Sequence, residues 1–379
     1  MQRTLIKDLH KHLGEEVSLS GWVDVRRDHG KLIFLVLRDR SGQMQCVASP
    51  KKATALETAK TLRPQWVVEV RGTVGKRPEN MVKAEEENGD IELAVASVAV
   101  LSAAQELPFD MDAELNLDTL LDYRPLTLRR ERERAIFKVQ HEIIRAYRTF
   151  LAEQGFVEFQ APKLVGDDAE GTGEVFEVKY LYDKTAHLAT SPQLYKQIMV
   201  GVFERVFTTG NVFRAEKHAT TRHLNEYTSI DVECGFITDH TDIMRLETSL
   251  MRSIVARLKE TCAEEFKTLG AELPLLPEGE CFPRLKLREV QKIIGVPEES
   301  DLDPAGERAI AEWAKKEHGS DFVFVTHYPV VKRPFYTYED EADPGYTKSF
   351  DLLFRGAEIT TGGQRRHEYE NLVAGAKAK

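Results

Sequence analysis

The chain has 379 residues, enough for two or three domains with a sizeable core in each, which excludes a peptide hormone and a disulfide knot. With 42% hydrophobic and 30% charged residues, it lies within the range of folded globular chains and outside that of disordered ones. A formal charge of −10 concerns solubility and steering, and it does not exclude RNA, which needs only a local basic surface.

The opening MQRTLIKDLHKHLGEE carries charges from the start, with no apolar stretch of signal-peptide length, and no run of about 18 apolar residues occurs anywhere. A cytoplasmic protein with no membrane insertion is expected. Cys46, Cys234, Cys262 and Cys281 form no CxxC pair and no zinc spacing, and are expected to be reduced and buried. From Glu16 to about Leu101 the pattern is short and β-like, through VSLSGWVDVRR, KLIFLVLRDRSGQMQCVAS, QWVVEVRGTVGKRP and DIELAVASVAVLS. Ser41-Gly42 and Asn88-Gly89 supply turns, and the helical KKATALETAKTL lies between the second and third of these segments. That order predicts a five-stranded barrel of the OB type.

Residues 103–125 mix acidic residues with prolines, show no sustained period and suit a hinge. A long helical pattern follows, with Ile136, Val139, Ile143, Ile144, Tyr147 and Leu151 at three- and four-residue steps, ending before Gly155. Strands then interleave with helices in VFERVFTTGNVFR, YTSIDVECGFIT, DFVFVTHYPV and TKSFDLLFRGAEITTGG, and DIMRLETSLMRSIVARLKETCAEEF reads as one amphipathic helix. The expected fold class is α+β multidomain, an N-terminal barrel followed by a domain of catalytic size.

Chemistry-bearing side chains are densest in FRAEKHATTRHLNEYTSIDVE. Alternation along NVFRAE places Arg214 and Glu216 on one face, and along YTSIDVE it aligns Tyr227, Ser229, Asp231 and Glu233. A pocket wall would look like this, and so would a solvated sheet face with routine ion pairs. In FDLLFRGAEITTGGQRRHEYE, Asp351 and Glu358 flank a hairpin-like turn ahead of Gly362, Gly363 and Arg365. Paired carboxylates beside glycines suit Mg²⁺ and phosphate, and an ordinary hairpin with a glycine bulge fits as well. In SPQLYKQ, Gln193 and Lys196 open a helix behind Ser191-Pro192, which is also a common structural start.

Taken in order, these segments resemble the class II aminoacyl-tRNA synthetases, and among them the compact, archaeal-type aspartyl-tRNA synthetases, over nearly the whole chain. GFVEFQAPKL is similar to the first class motif, in which Pro162 ends a long helix at a dimer interface; FRAE with RHLNEY is similar to the second. The resemblance implies an antiparallel-sheet catalytic domain over 126–379, an anticodon-binding OB domain over 1–102, and a homodimer. It also implies L-aspartate and ATP as substrates, Mg²⁺ as cofactor and tRNA(Asp) as partner. Arg214 would act in catalysis at the substrate carboxylate and α-phosphate, Glu216 would meet the adenine amino group, Tyr227 would stack on adenine, and Arg222 or His223 would reach the γ-phosphate. Asp351 and Glu358 would hold Mg²⁺. Glu170, Gln193 and Asp231 would receive the amino group of aspartate, and Lys196 with Arg365 its side-chain carboxylate. Asparagine would then leave two desolvated cations uncompensated.

On the barrel, Arg26, Phe34 and Gln45 are the candidates for a face that stacks and reads bases, although Phe34 would also suit a core. His29 and Pro78 match the loops of family members that charge both tRNA(Asp) and tRNA(Asn), which implies a link to an amidotransferase acting on Asp-tRNA(Asn). No segment resembling the third class motif follows YENLVAGAKAK, so truncation at the C-terminus is expected. Three readings stay open: an active aspartate–tRNA ligase, a catalytically impaired tRNA-binding relative, and an asparagine-forming amide ligase.

Overall fold

The computed structural model describes residues 2–86, 88–167, 175–217 and 224–378. It divides into two compact units, Met1–Thr119 and Leu120–Lys379.

In the first unit, β1 (Glu16–Asp28), β2 (Ile33–Asp39), β3 (Gly42–Ala48), β4 (Val67–Lys76) and β5 (Ile91–Ser102) close a barrel in the order β1-β2-β3-β5-β4, with helix α1 (Ala53–Thr61) between β3 and β4. Closure depends on the length of β1, whose first half pairs with β4 and whose second half pairs with β2. At Gly21 the chains approach so closely that a Cβ would stand 2.2 Å from the Arg38 carbonyl oxygen, so glycine is required there. Alternate residues fill the interior: Val17, Leu19, Val23, Leu35, Leu37, Met44, Val70 and Leu93 are almost wholly buried. Ala55, Leu56 and Ala59 of α1 join that core.

The second unit follows α2 (Leu117–Asp122), which carries the boundary, and α3 (Arg124–Thr127). Its elements in order are α4 (Glu131–Glu153), β6 (Val157–Glu158), β7 (Leu164–Val165), β8 (Glu177–Lys179), β9 (Thr185–Leu188), α5 (Gln193–Phe203), β10 (Arg205–Phe213) and β11 (Glu226–Cys234). They continue with α6 (His240–Thr261), α7 (Ala263–Leu269), β12 (Arg284–Lys286), α8 (Leu287–Ile294), α9 (Pro304–His318), β13 (Phe322–Thr326), β14 (Ser349–Phe354), β15 (Ala357–Gly363) and α10 (Tyr369–Ala378). Three sheets result, in the orders β11-β10-β6, β12-β13-β14-β15 and β7-β9-β8. Helices α4 and α6 cover the first of them through Tyr147, Leu151, Phe207, Leu250, Ile254 and Leu258. The Tyr147 hydroxyl donates to the Asp231 carbonyl at 3.0 Å, which ties α4 to the middle of β11.

Several expectations need correction. The long helix α4 stops at Glu153, where Gly155 takes a left-handed φ of +78°; Pro162 comes only after β6 and ends no helix. Ile136 lies on the apolar stripe yet is 48% exposed. The segment read as one helix breaks at Cys262 into α6 and α7. β10 ends at Phe213, so Arg214 and Glu216 stand beyond the strand rather than on its face. Cys46 and Cys262 are buried, but Cys234 and Cys281 are only half-buried. Among the described residues, no helix is long and apolar enough to cross a membrane.

Candidate active site

A close cluster of buried and half-buried charges lies where α5 meets β11. Ser191 sets up the helix by accepting the Gln193 backbone N–H at 3.0 Å, and from the first turn Gln193 and Lys196 point inward, 3% and 8% exposed. The Lys196 ammonium lies 2.9 Å from Asp231 and 3.8 Å from Glu233. Arg365, just past β15, grips Glu233 with two bonds of 2.8 and 3.1 Å and donates to the Gln193 side-chain oxygen at 3.4 Å. Strand alternation brings Ser229, Asp231 and Glu233 to one face, as expected, and the Ser229 hydroxyl donates to Asp231. Burial works to raise the Asp231 carboxyl, but Lys196, Ser229 and Lys163 outweigh it and hold the group below the usual carboxylate range. Glu233 is held down in the same way, with Arg365 as the main counterweight to burial.

Lys196 is therefore no surface residue, and the two cations are not unpaired: each already has a carboxylate. Asparagine in this pocket would not strand two bare cations. Glu233, absent from the predicted binding set, proves central, and its alignment with Asp231 was the available signal. The buried Nε2 of Gln193 makes no hydrogen bond among the described residues, which leaves a donor for a ligand.

Along the same face of β11 lies Tyr227, with the Arg214 guanidinium 5.7 Å from its ring centroid. The backbone around Arg214 is clamped by Asn225: the Arg214 N–H donates to the Asn225 carbonyl, while the Asn225 amide donates to the carbonyls of Arg214 and Glu216 at 2.8 and 2.9 Å. Glu170, Arg222 and His223 lie outside the described residues.

The β14–β15 hairpin turns at Arg355-Gly356, both with positive φ. Asp351 pairs with Thr361, but the register shifts between Leu352 and Leu353, leaving Ile359 as an extra residue. That bulge turns Glu358 to the Asp351 face, where three-residue spacing in a regular strand would send it to the other side. The Thr361 hydroxyl then sits 2.9 Å from Asp351 and 2.6 Å from Glu358. Glu358 is exposed over much of its length, but desolvation of its carboxyl end and the Asp351 charge push it up to about 7. Crowded hard oxygens of this kind fit a divalent cation. Among the described residues no group of three or more His, Cys, Asp or Glu could form a cage, so two carboxylates completed by substrate phosphates suit Mg²⁺. Two neighbours were missed: Arg333, 2.7 Å from Asp351, and Glu247 of α6, which burial pushes up to about 7. Gly362 serves packing, since a Cβ there would stand 2.4 Å from the Phe350 ring.

On the barrel, register places Arg27, Phe34 and Val47 in one cross-strand row, and Val25, Val36 and Gln45 in the next. Phe34 is half-buried on this outer face, outside the core, and His29 meets it edge-on at 5.3 Å. Gln45 donates to Glu92 at 3.0 Å. Arg26 needs correction: it pairs with core-facing Leu35 and lies in the opposite phase, near Asp28, so Arg27 takes the place expected of it. The cause is a bulge at Asp24, between Val23 and Val25, which inverts the alternation. Pro78 is exposed, at the start of the short turn Glu79–Met81.

Residues 116–379 match the family described as tRNA synthetases class II (D, K and N), and residues 17–101 match an OB-fold nucleic acid binding domain. The aspartate–tRNA(Asp/Asn) ligase of Thermus thermophilus is 46% identical over all of this chain and 86% of its own length. Among solved structures, the asparaginyl-tRNA synthetase of Pyrococcus horikoshii in complex with asparaginyl-adenylate superposes with a TM-score of 0.89 at 32% identity, over all of this chain and 87% of that one. A putative aspartyl-tRNA synthetase from Leishmania major gives 0.88 at 28% identity, over all of this chain and 84% of that one.

Proposed function

The chain belongs to the class II tRNA synthetases of the D, K and N group, and from that membership we propose that it joins L-aspartate to tRNA(Asp), and also to tRNA(Asn), at the expense of ATP. The observation that carries this reading is the ion-paired set of Lys196, Asp231, Glu233 and Arg365 around the open donor of Gln193. Its cations suit a side-chain carboxylate, and its carboxylates suit an α-ammonium group.

In the proposed mechanism the α-carboxylate of aspartate attacks the α-phosphorus of ATP in line and displaces pyrophosphate; the terminal ribose hydroxyl of tRNA then attacks the carbonyl carbon of the aspartyl-adenylate, loses its proton and displaces AMP. Asp231, Glu170 and the Gln193 side-chain oxygen receive the ammonium group, the open Gln193 Nε2 donates to a ligand oxygen, and Lys196 and Arg365 receive the side-chain carboxylate and fix its angle. Arg214 stabilises the charge that develops at the α-phosphate, Tyr227 stacks on adenine, Glu216 accepts from its amino group, and Arg222 or His223 meets the γ-phosphate. Asp351 and Glu358 would hold Mg²⁺, which would supply positive charge beside the ATP phosphates. Residues 1–102 read the anticodon through the outer barrel face, with Arg27, His29, Phe34, Gln45 and Pro78. The segment 103–125 is the hinge to the catalytic part, 126–379. Two copies pair through the first-motif segment in the cytoplasm, and Asp-tRNA(Asn) passes to an amidotransferase.

Aspartate-dependent ATP–pyrophosphate exchange, followed by charging of tRNA(Asp) and tRNA(Asn) transcripts at stated salt, tests the reading. Exchange and charging of both transcripts are expected. Loss of exchange with tRNA binding retained would leave a tRNA-binding relative, and ammonia-dependent asparagine formation would leave an amide ligase. His29→Gln is expected to change the ratio of tRNA(Asn) to tRNA(Asp) charging without altering exchange, because the ring rests on Phe34. An unchanged ratio removes His29 from anticodon reading.

A further inference from the structure

Lys196 and Arg365 are balanced by Asp231 and Glu233, so these four groups carry no net charge among them. The net charge of these four groups therefore gives no preference for an acidic ligand over its amide. Lys163 follows Pro162 and is anchored by its carbonyl, an acceptor for the Ala189 N–H at 3.0 Å. Its side chain crosses β10 at Gly210, where a Cβ would stand 3.0 Å from the ammonium nitrogen and 3.1 Å from the Cε carbon. Gly210 pairs with Ser229, and Thr208 with Asp231, so the space that Gly210 leaves open belongs to the face that carries Ser229 and Asp231. Among the described residues, no carboxylate lies within ion-pair distance of the Lys163 ammonium. Burial holds that ammonium below the usual lysine range while the Asp231 charge opposes the shift, which shows both its partial desolvation and its closeness to the pocket.

We propose that Lys163 is a specificity-determining residue that adds a positive charge to the aspartate pocket beside Ser229 and Asp231, an inference that rests on the function just proposed. Aspartate at neutral pH carries one net negative charge and asparagine none, so an added cation in a partly desolvated site favours the first. Gly210 belongs to the same device, because a Cβ there would crowd the end of the lysine side chain.

The test is calorimetric binding of aspartate and of asparagine to the full chain, with ATP affinity and the melting temperature measured in parallel. Lys163→Met is expected to lower the preference for aspartate by roughly tenfold or more, with ATP affinity unchanged. Gly210→Ala keeps the charge but crowds it, and is expected to shift the preference in the same direction by a smaller factor. It also keeps the proposal testable if the methionine variant does not fold. Wild-type preference in a folded Lys163→Met protein overturns this role alone. A wild-type chain that prefers neither amino acid overturns the role and the function beneath it.

Discussion

Replacing Arg214 with alanine is expected to slow aspartyl-adenylate formation by roughly 10²- to 10³-fold, about 3 to 4 kcal/mol of transition-state stabilisation, while tRNA affinity stays near its wild-type value. The separation of the two effects follows from how the residue is held. Asn225 clamps the backbone of Arg214 and Glu216, and none of those bonds uses the guanidinium, so truncation removes a charge and leaves the local chain in place. Tyr227 loses the cation near its ring but stays on β11. Pyrophosphate exchange and filter binding of tRNA, measured on one preparation, check the result. An equal fall in both would point to unfolding rather than to lost chemistry. Lysine at this position should recover only part of the rate, because a point charge cannot make the paired, planar contacts of a guanidinium.

Lys196→Leu is expected to abolish measurable aspartate binding and to destabilise the fold by about 3 to 5 kcal/mol, the cost typical of breaking a buried pair from one side. The variant leaves Asp231 without its principal counter-ion, although Lys163 still opposes its protonation. The two proteins should then respond to pH in opposite senses. In the wild type, Asp231 is held below its unfolded value, so its contribution is present above the ordinary carboxylate range and is lost as pH falls through the lowered value. In the variant, burial prevails and raises the group above its unfolded value, so the folded state gains relative stability as the carboxyl takes up a proton. Denaturant melts from neutral pH down into the carboxylate range should show the stability deficit shrinking. A deficit independent of pH would show that Asp231 does not sense Lys196.

Much of this architecture is legible in the residues because alternation and helical period are local properties. The five barrel strands, the α5 start behind Ser191-Pro192, and the shared face of Tyr227, Ser229, Asp231 and Glu233 follow from spacing alone. The failures have one physical source, which is geometry that spacing does not encode. A single extra residue at Asp24 moves Arg26 off the expected face and puts Arg27 there, and another at Ile359 brings Glu358 beside Asp351. Glu247 and Arg333 reach the hairpin carboxylates from elements far away in the chain, and nothing in their own neighbourhoods announces it. Lys163 was hidden for the same reason, since its partner is the missing side chain of Gly210. The charge balance of the pocket could not be read from a list of cations, because it depends on which carboxylate each one meets.

The bond between Arg365 and Glu233 joins residues 132 positions apart, and Lys196 meets Asp231 across another 35. An amino acid held among α5, β11 and the stretch beyond β15 would act as a reversible cross-link between parts of the polypeptide made early and late by the ribosome. The entropy of closing such long loops grows only slowly with their length, so a small ligand can offset a useful share of it. Resistance of the chain to heat and to proteases would then rise with the concentration of aspartate around it, by mass action.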